Sequence, residues 1–316
     1  MTGHNNTKKS PFTVLGDFAW DVLIRTNSEL LPGGDSFGEV MIAPGGSAAN
    51  VAVWASRCGL KTTFVGKVGR DRFGQMAAEN LAWENVEAHL IGTSEHRTAA
   101  VSVWIDHQGQ RSMVSGQGAD FYLLTSELPV SIFKNTQHLH LSAWSLFRDP
   151  PRSASRMASK IVKESGGSVS LDPASFQIIG EIGADKFMSY IRDLNIDIFF
   201  PNFEEGRVLS GEKNPKAIIR KLSAMIPGAI IALKLDSNGA LIMCEGKETL
   251  IPAATNSIID ATGAGDAFAG AFLSKYLRGC DITTSGKFAV KISAWVVNHI
   301  SARPHSDKAL ENILQS

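Results

Sequence analysis

Asp260-Ala261-Thr262-Gly263-Ala264-Gly265-Asp266, late in a chain of 316 residues, is a glycine-rich turn running into the apolar stretch Ala267-Phe268-Ala269-Gly270-Ala271-Phe272. Gly263 and Gly265 let the backbone turn so that successive N–H groups face one small volume. A helix starting there adds its unpaired N–H groups and the positive end of its dipole. Such a pocket holds an anion, most often a phosphate. Asp266 is anomalous, because a carboxylate repels a resting phosphate. It has a task if it takes a proton from a hydroxyl attacking that phosphate, so the pattern reads as phosphoryl transfer. Taken singly, an Asp at a helix start is commonly a cap, and a glycine before it a turn. A dinucleotide-binding loop does not fit, since Phe268 stands where the third glycine belongs and too little chain follows for a βαβ unit. A Walker loop, G-x-x-x-x-G-K-[ST], occurs nowhere.

Other residues have chemistry to offer. Gly45-Gly46-Ser47-Ala48-Ala49-Asn50 is a second glycine-rich helix entry, read either as a close-packed turn or as a ligand cradle. In the second case Asn50 presents donor and acceptor to a hydroxyl. Asp21 follows Gly16-Asp17 on a strand and suits a polyol, whose hydroxyl protons a carboxylate accepts. Asn202-Phe203-Glu204-Glu205 follows Ile198-Phe199-Phe200, at a strand's C-terminal end, where α/β sheets bind ligands. The acidic pair there is either a helix start or, through Glu205, a holder of the water shell of Mg²⁺. His138 and His140 share a strand face and, lacking a third ligand, read as buried structural histidines. Trp104, alternating with Val103 and Ile105, gives a hairpin face a ring able to cover a ligand.

These groups need a scaffold. Strand patterns occupy 12–16, 20–25, 40–43, 61–68, 138–142, 168–171, 197–200 and 230–235. Hairpins are expected at 98–114, turning at His107-Gln108-Gly109, and at 239–252. Helical spacing marks 47–58, closed by Gly59, then 71–80, 152–164, 184–194, 215–225, 264–277, 283–299 and 308–314. The β-α alternation after His138 argues for a mostly parallel sheet covered by helices on both faces. No repeat or linker is visible, so residues 11–316 are expected to form one α/β domain with a small β elaboration, and 1–10 a disordered tail.

Lys plus Arg and Asp plus Glu number 31 each, so the net charge is zero and argues for neither nucleic acid nor membrane as partner. The three cysteines, Cys58, Cys244 and Cys280, are unpatterned and fit a reducing compartment. No stretch reaches the length of a membrane span, and the first ten residues lack a signal peptide's apolar run. A soluble cytoplasmic protein is expected.

Together these motifs resemble the ribokinase-like (phosphofructokinase-B) family of carbohydrate kinases. The likeness spans Phe12 to Ser306 and rests on Asp260–Asp266, on Gly45–Asn50 with Gly66 and Gly69–Gly74, on Asn202-x-x-Glu205, and on Gly16 with Asp21. It implies a three-layer sandwich with a mostly parallel central sheet, helices on both faces and a small β-lid, at about 18–43 and 98–118. The implied reaction is ATP-dependent transfer of the γ-phosphoryl group to a primary hydroxyl of a small sugar or sugar acid. A nucleoside, including pseudouridine, is the alternative acceptor, and a sugar-binding regulator without turnover the second alternative.

By position, the resemblance implies Asp266 as base and Gly263, Ala264 and Gly265 as anion hole. It implies Asp21, Gly46, Asn50 and Arg111 on the sugar, and Asn202, Lys234, Asp236 and Gly239 with Gly263 and Gly265 on the nucleotide. Glu205 falls to Mg²⁺, Asp260 and Thr262 to K⁺ in some members, and a homodimer through the lid is implied as partner. Departures concentrate at the substrate and nucleotide ends. Ala19, Ser47 and Ala48 stand where ribokinases proper tend to have Asn, Lys and Gly. Asp236 replaces a glycine, with Lys234 the expected neighbour to offset it, and Ser301-Ala302-Arg303-Pro304 lacks the usual glycine-alanine.

Overall fold

The computed structural model describes residues 10–29, 31–105, 111–254 and 258–315. The first part of the chain runs β1 (Ser10–Leu15), β2 (Ala19–Thr26), β3 (Gly38–Gly45), α1 (Ser47–Arg57), β4 (Thr62–Gly69), α2 (Arg72–Trp83), β5 (Glu87–Thr93), β6 (Ala99–Ile105) and β7 (Arg111–Ser115). There follow α3 (Val130–Lys134), β8 (Thr136–Ser142), α4 (Pro151–Glu164), β9 (Ser168–Asp172), α5 (Phe176–Ile182), α6 (Ala184–Arg192), β10 (Ile198–Phe199), α7 (Phe203–Ser210) and α8 (Pro215–Met225). The chain closes with β11 (Ile230–Lys234), β12 (Ala240–Cys244), β13 (Lys247–Ile251), α9 (Ala264–Tyr276), α10 (Ile282–Val296) and α11 (Lys308–Leu314).

Nine strands form the central sheet, in the order β13-β12-β11-β10-β9-β8-β1-β4-β5. All neighbours are parallel except the terminal β11-β12-β13 meander. Strand side chains alternate between faces, and the core divides accordingly. Phe12, Val14, Ile230 and Ala232 pack with α1, α2, α9, α10 and α11. Leu15, Leu139, Leu141, Ile231 and Leu233 pack with α3 to α8 on the other side. The result is the expected three-layer arrangement, with the C-terminal ends of β1, β9, β10 and β11 along one edge.

Four elements lacked a readable pattern, among them α3, of only five residues. β5 lies at the sheet edge, and its half-buried Leu90 and Ile91 are adjacent and pack on opposite sides, so it shows no apolar alternation. α5 has seven residues and α7 eight, too short for a helical period to stand out. α7 is specified by its ends instead: Asn202 and Glu205 close a capping box, and Gly211 takes a left-handed conformation. His138 and His140 are core residues, bonded to Ser168 and Ser170 at 2.7–2.8 Å. Burial holds both imidazoles neutral, with pKa pushed down to about 3.

A second sheet, β3-β2-β6-β7, covers the expected lid segments. Its register puts Asp21 opposite Ala43 and Val101, on a face shared with Leu23 and Val103. Trp104 pairs with Ile24 and Ser112 and so points to the opposite face. It therefore does not share the face of Asp21, because a period of two sends adjacent residues to opposite sides. The expected turn at 107–109 and residues 1–9 of the expected tail lie outside the described residues. Among those described, no helix is long and apolar enough to cross a membrane.

Candidate active site

In the turn before α9 Gly263 takes up a conformation suited to glycine, whereas Gly265 lies within the helix and the Ala264 N–H donates to the Ala261 carbonyl at 3.3 Å. Gly263 is left-handed (φ 73°) at the helix N-cap, and a Cβ there would lie 2.5 Å from that of Ala302. Ala302 is held in turn by the Trp54 indole, which donates to its carbonyl at 2.9 Å. Gly265 faces Lys234, whose Nζ would be 3.1 Å from an added Cβ. The loop behind is tied by Asp260: Oδ1 accepts from Thr262 N and Oγ1 at 2.9 and 2.6 Å, and Oδ2 from Ser301 N at 3.0 Å.

Asp266 stands in the first turn of α9, and its Oδ2 accepts from Asn50 Nδ2 at 2.8 Å. Burial pushes its pKa well above the ordinary carboxylate value, reinforced by Asp172 and Asp17 and opposed by Asn50 and Lys234. Asn50 Oδ1 accepts from Arg303 Nε at 2.7 Å. Each Asn50 amide atom thus has one bond committed and capacity for one more, which leaves a single donor and a single lone pair for a ligand.

At the turn before α1, Gly46 is left-handed (φ 86°), and a Cβ would lie 2.7 Å from the Asp17 carbonyl. The Asp17 carboxylate caps α1, accepting from Ser47 N at 2.7 Å and Ala48 N at 3.2 Å. Asp21 lies against Gly45, where a Cβ would meet its carboxylate at 2.5 Å. Arg111 pairs with Ile105 across the lid strands, and its side chain lies outside the described residues. Asp120, just after the lid, is buried near Asp17 and has its pKa pushed up to about 8.

A further group of polar residues gathers at the ends of β9, β10 and β11. Lys234 Nζ donates to Asp172 Oδ2 at 2.6 Å, and both are nearly buried. Lys234 is thus bonded to Asp172, and its charge also favours the ionised form of Asp236, the neighbour expected from sequence. Asn202 N donates to Glu205 Oε2 and Glu205 N to Asn202 Oδ1, each at 2.8 Å. Glu205 is buried, and burial with the Asp172 charge pushes its pKa up to about 8 against the pull of Lys234. These are oxygen donors with no soft ligand, which suits Mg²⁺ held through water. Beside them opens a cavity of about 250 Å³, bounded by Asn202, Lys234, Asp236, Gly239 and Gly265 on its polar side and by Phe268, Val290 and Val297 on its apolar side. Gly239 (φ 86°) has no room for a side chain, because a Cβ would lie 2.1 Å from the Ile251 carbonyl.

Asp236 holds a left-handed conformation, φ 50°, on the rim of this cavity. Glycine adopts that region without strain. Asp236→Gly is therefore expected to stabilise the fold by up to about 1 kcal/mol and, by removing a negative charge, to tighten ATP binding. Thermal melts with an ATP titration check both.

The structure thus brings together Asp266, Gly263 to Gly265, Asn50, Lys234, Asn202, Glu205, Asp236 and Gly239. Asp172, Asp17, Asp120 and Arg303 were missed. Asp172 had a usable signal, the terminal carboxylate of a parallel strand; the others had none in their local sequence.

The chain matches the profile of the pfkB family carbohydrate kinases over residues 13–309. It is 30% identical to the fructokinase of Escherichia coli over 268 residues, 83% of this chain and 82% of that protein. It is 28% identical to the ribokinase of Haemophilus influenzae over 276 residues, 85% and 86% of the two chains. Arabidopsis thaliana ribokinase, solved with ribose and ATP, superposes with a TM-score of 0.80 at 23% identity, covering 97% of this chain and 99% of that one. Adenosine kinase of Sinorhizobium meliloti superposes at 0.84 and 20% identity, covering 98% and 100%. At such identities the structural likeness speaks for the ribokinase-like fold alone. The chain belongs to the pfkB family and is a carbohydrate kinase, a phosphotransferase whose acceptor is an alcohol group.

Proposed function

We propose that the protein transfers the γ-phosphoryl group of ATP to a primary hydroxyl of a small sugar, with Asp266 as general base. One observation carries the reading: Asp266, part-buried in the first turn of α9, accepts from Asn50, which Arg303 ties to the Gly45 carbonyl, and it feels the charge of Lys234, which faces Gly265. The substrate hydroxyl gives its proton to the Asp266 carboxylate while its oxygen bonds to the γ-phosphorus. The bond from that phosphorus to the bridging oxygen breaks, and ADP leaves. The N–H groups at Gly263, Ala264 and Gly265 take up charge on the transferring group. Glu205 would hold Mg²⁺ through water, and the ion would supply further charge neutralisation when bound with ATP. The base works ionised, so turnover falls on the acid side of a pKa above that of ordinary aspartate.

On the sugar, Asp21 and Asn50 are the hydroxyl partners and Gly46 gives close backbone approach. Fructose is the first acceptor to try, because the E. coli fructokinase likeness spans most of the chain. A coupled ADP-release screen over ketohexoses, pentoses, sugar acids and nucleosides tests the reading. ADP release with a sugar supports it. Release with a nucleoside alone moves the acceptor class, and sugar binding without release makes the protein a regulator. Within the Asp260 loop, the bonds from Thr262 and Ser301 hold the chain as a monovalent cation would, so exchanging K⁺ for Na⁺ is expected to change turnover by less than about tenfold.

The lid face opposite Asp21 carries Val40, Ile42, Trp104 and Val114, exposed by 69, 52, 37 and 67%. Such an apolar face suits a second copy's lid, and light scattering reads the dimer. Dependence on ATP points to the cytoplasm.

A further inference from the structure

Arg303 lies between α10 and α11, far in sequence from every other site residue, and is only 6% exposed. Each of its three guanidinium nitrogens donates to the protein. Nε bonds Asn50 Oδ1 at 2.7 Å, Nη1 bonds Asn80 Oδ1 at 2.8 Å, and Nη2 bonds the Gly45 carbonyl at 2.8 Å. The group also lies 5.4 Å from the centroid of the Phe18 ring. It is thus clamped between the foot of the lid, α1 and α2.

A guanidinium has donors and no acceptor. Asn50 can meet it only with Oδ1, and this leaves Nδ2 facing Asp266. The flipped amide would set N–H against N–H on one side and an amide oxygen against a carboxylate on the other. Both contacts are repulsive, in a place where water cannot relieve them. The amide orientation thus follows from the chemistry of its neighbours.

We propose that Arg303 is a positioning residue for phosphoryl transfer: it fixes the Asn50 amide so that the base, Asp266, always meets an N–H donor. The inference rests on the reading of Asp266 as base. An N–H donor stabilises the ionised carboxylate, and a carbonyl oxygen in its place stabilises the acid. Loss of the clamp therefore raises the pH at which the base becomes available. The other charged groups facing Asp266 are Asp172 and Asp17, which favour its acid form, and Lys234, which favours the anion. Arg303 itself faces Glu84, Arg57, Asp21 and Asp266, and burial pushes its pKa down to about 10, so it stays charged across the working range. Its Nη2 bond adds a link between the base and the Gly45–Gly46 turn that receives the sugar.

The test is the pH profile of kcat, measured by ADP release on the full chain with the sugar found in the screen. Arg303→Lys keeps the charge and a donor but not the fork; Arg303→Met removes both. The acid limb is expected to move up by about one pH unit in Arg303→Met and by less in Arg303→Lys, with KM for ATP within about twofold of wild type. A purely structural role would lower the amount of folded enzyme and leave the limb where it was. If Arg303→Met fails to fold, Asn50→Asp carries the test. It still satisfies the guanidinium, but it replaces the donor to Asp266 with an acceptor, and the limb should rise. An unmoved limb in the folded variants overturns the inference. Asp266→Asn, run in parallel, separates the two ideas: if it keeps wild-type turnover, the base assignment fails; if it is inactive while the Arg303 limb is unmoved, only the positioning role falls.

Discussion

Asp266→Asn is expected to lower kcat by about 10²–10⁴-fold while the protein melts at or above the wild-type temperature. The two halves of the expectation have one cause. Asp266 is part-buried and desolvated, and Asp172 and Asp17 add like charge, so the ionised side chain is held against its own preference. An amide has the same shape, can still bond Asn50 through its oxygen, and brings no charge into that setting. What it cannot do is accept the proton of the sugar hydroxyl. Steady-state ADP release with a thermal melt of the same sample reads both quantities. Turnover within about tenfold of wild type would remove Asp266 from the role of base. A large drop in melting temperature would make it a structural residue instead.

Lys234→Met should cost stability as well as activity. The ammonium sits between Asp172, bonded at 2.6 Å, and Glu205, and lies close to Gly265 in the anion cradle. Removing one partner of a buried ion pair typically costs about 3–5 kcal/mol, because the charge left behind is neither solvated nor paired. Here two carboxyl groups lose their counter-ion, so the melting temperature falls and ATP turnover is lost. Adding Asp172→Leu takes away the stranded charge. The double variant is expected to regain most of the stability without regaining turnover, since the cation beside the transferring phosphoryl group is still missing. If the two substitutions simply add, the pair is not coupled and the electrostatic account of this end of the site is wrong.

Legibility followed distance along the chain. Gly263 to Asp266 could be read directly, since a turn, a helix N-terminus and a carboxylate within one helical turn are placed by local geometry. Gly46 and Asn50 were readable for the same reason, as were the long strands and helices with a clear apolar period. β5, on the exposed sheet edge, had no apolar face to display, and α5 and α7 were too short to show one. Trp104 went to the face away from Asp21, because strand register across the lid, not position in the hairpin, assigns the faces. Lys234 bonds Asp172 while its charge still acts on the nearby Asp236, because β9 and β11 flank β10 in the sheet and their ends converge there.

By itself, then, the amino-acid sequence pointed to the reaction class: a glycine turn running into a helix with a carboxylate in its first turn is a short-range construction, written in seven consecutive residues. The tertiary structure alone decided which groups surround that carboxylate. Asp17, Asp172, Lys234 and Arg303 reach Asp266 or its partner Asn50 from separate elements. Their meeting depends on the sheet order and on the path of the C-terminal segment, neither of which leaves a trace in the local pattern of residues.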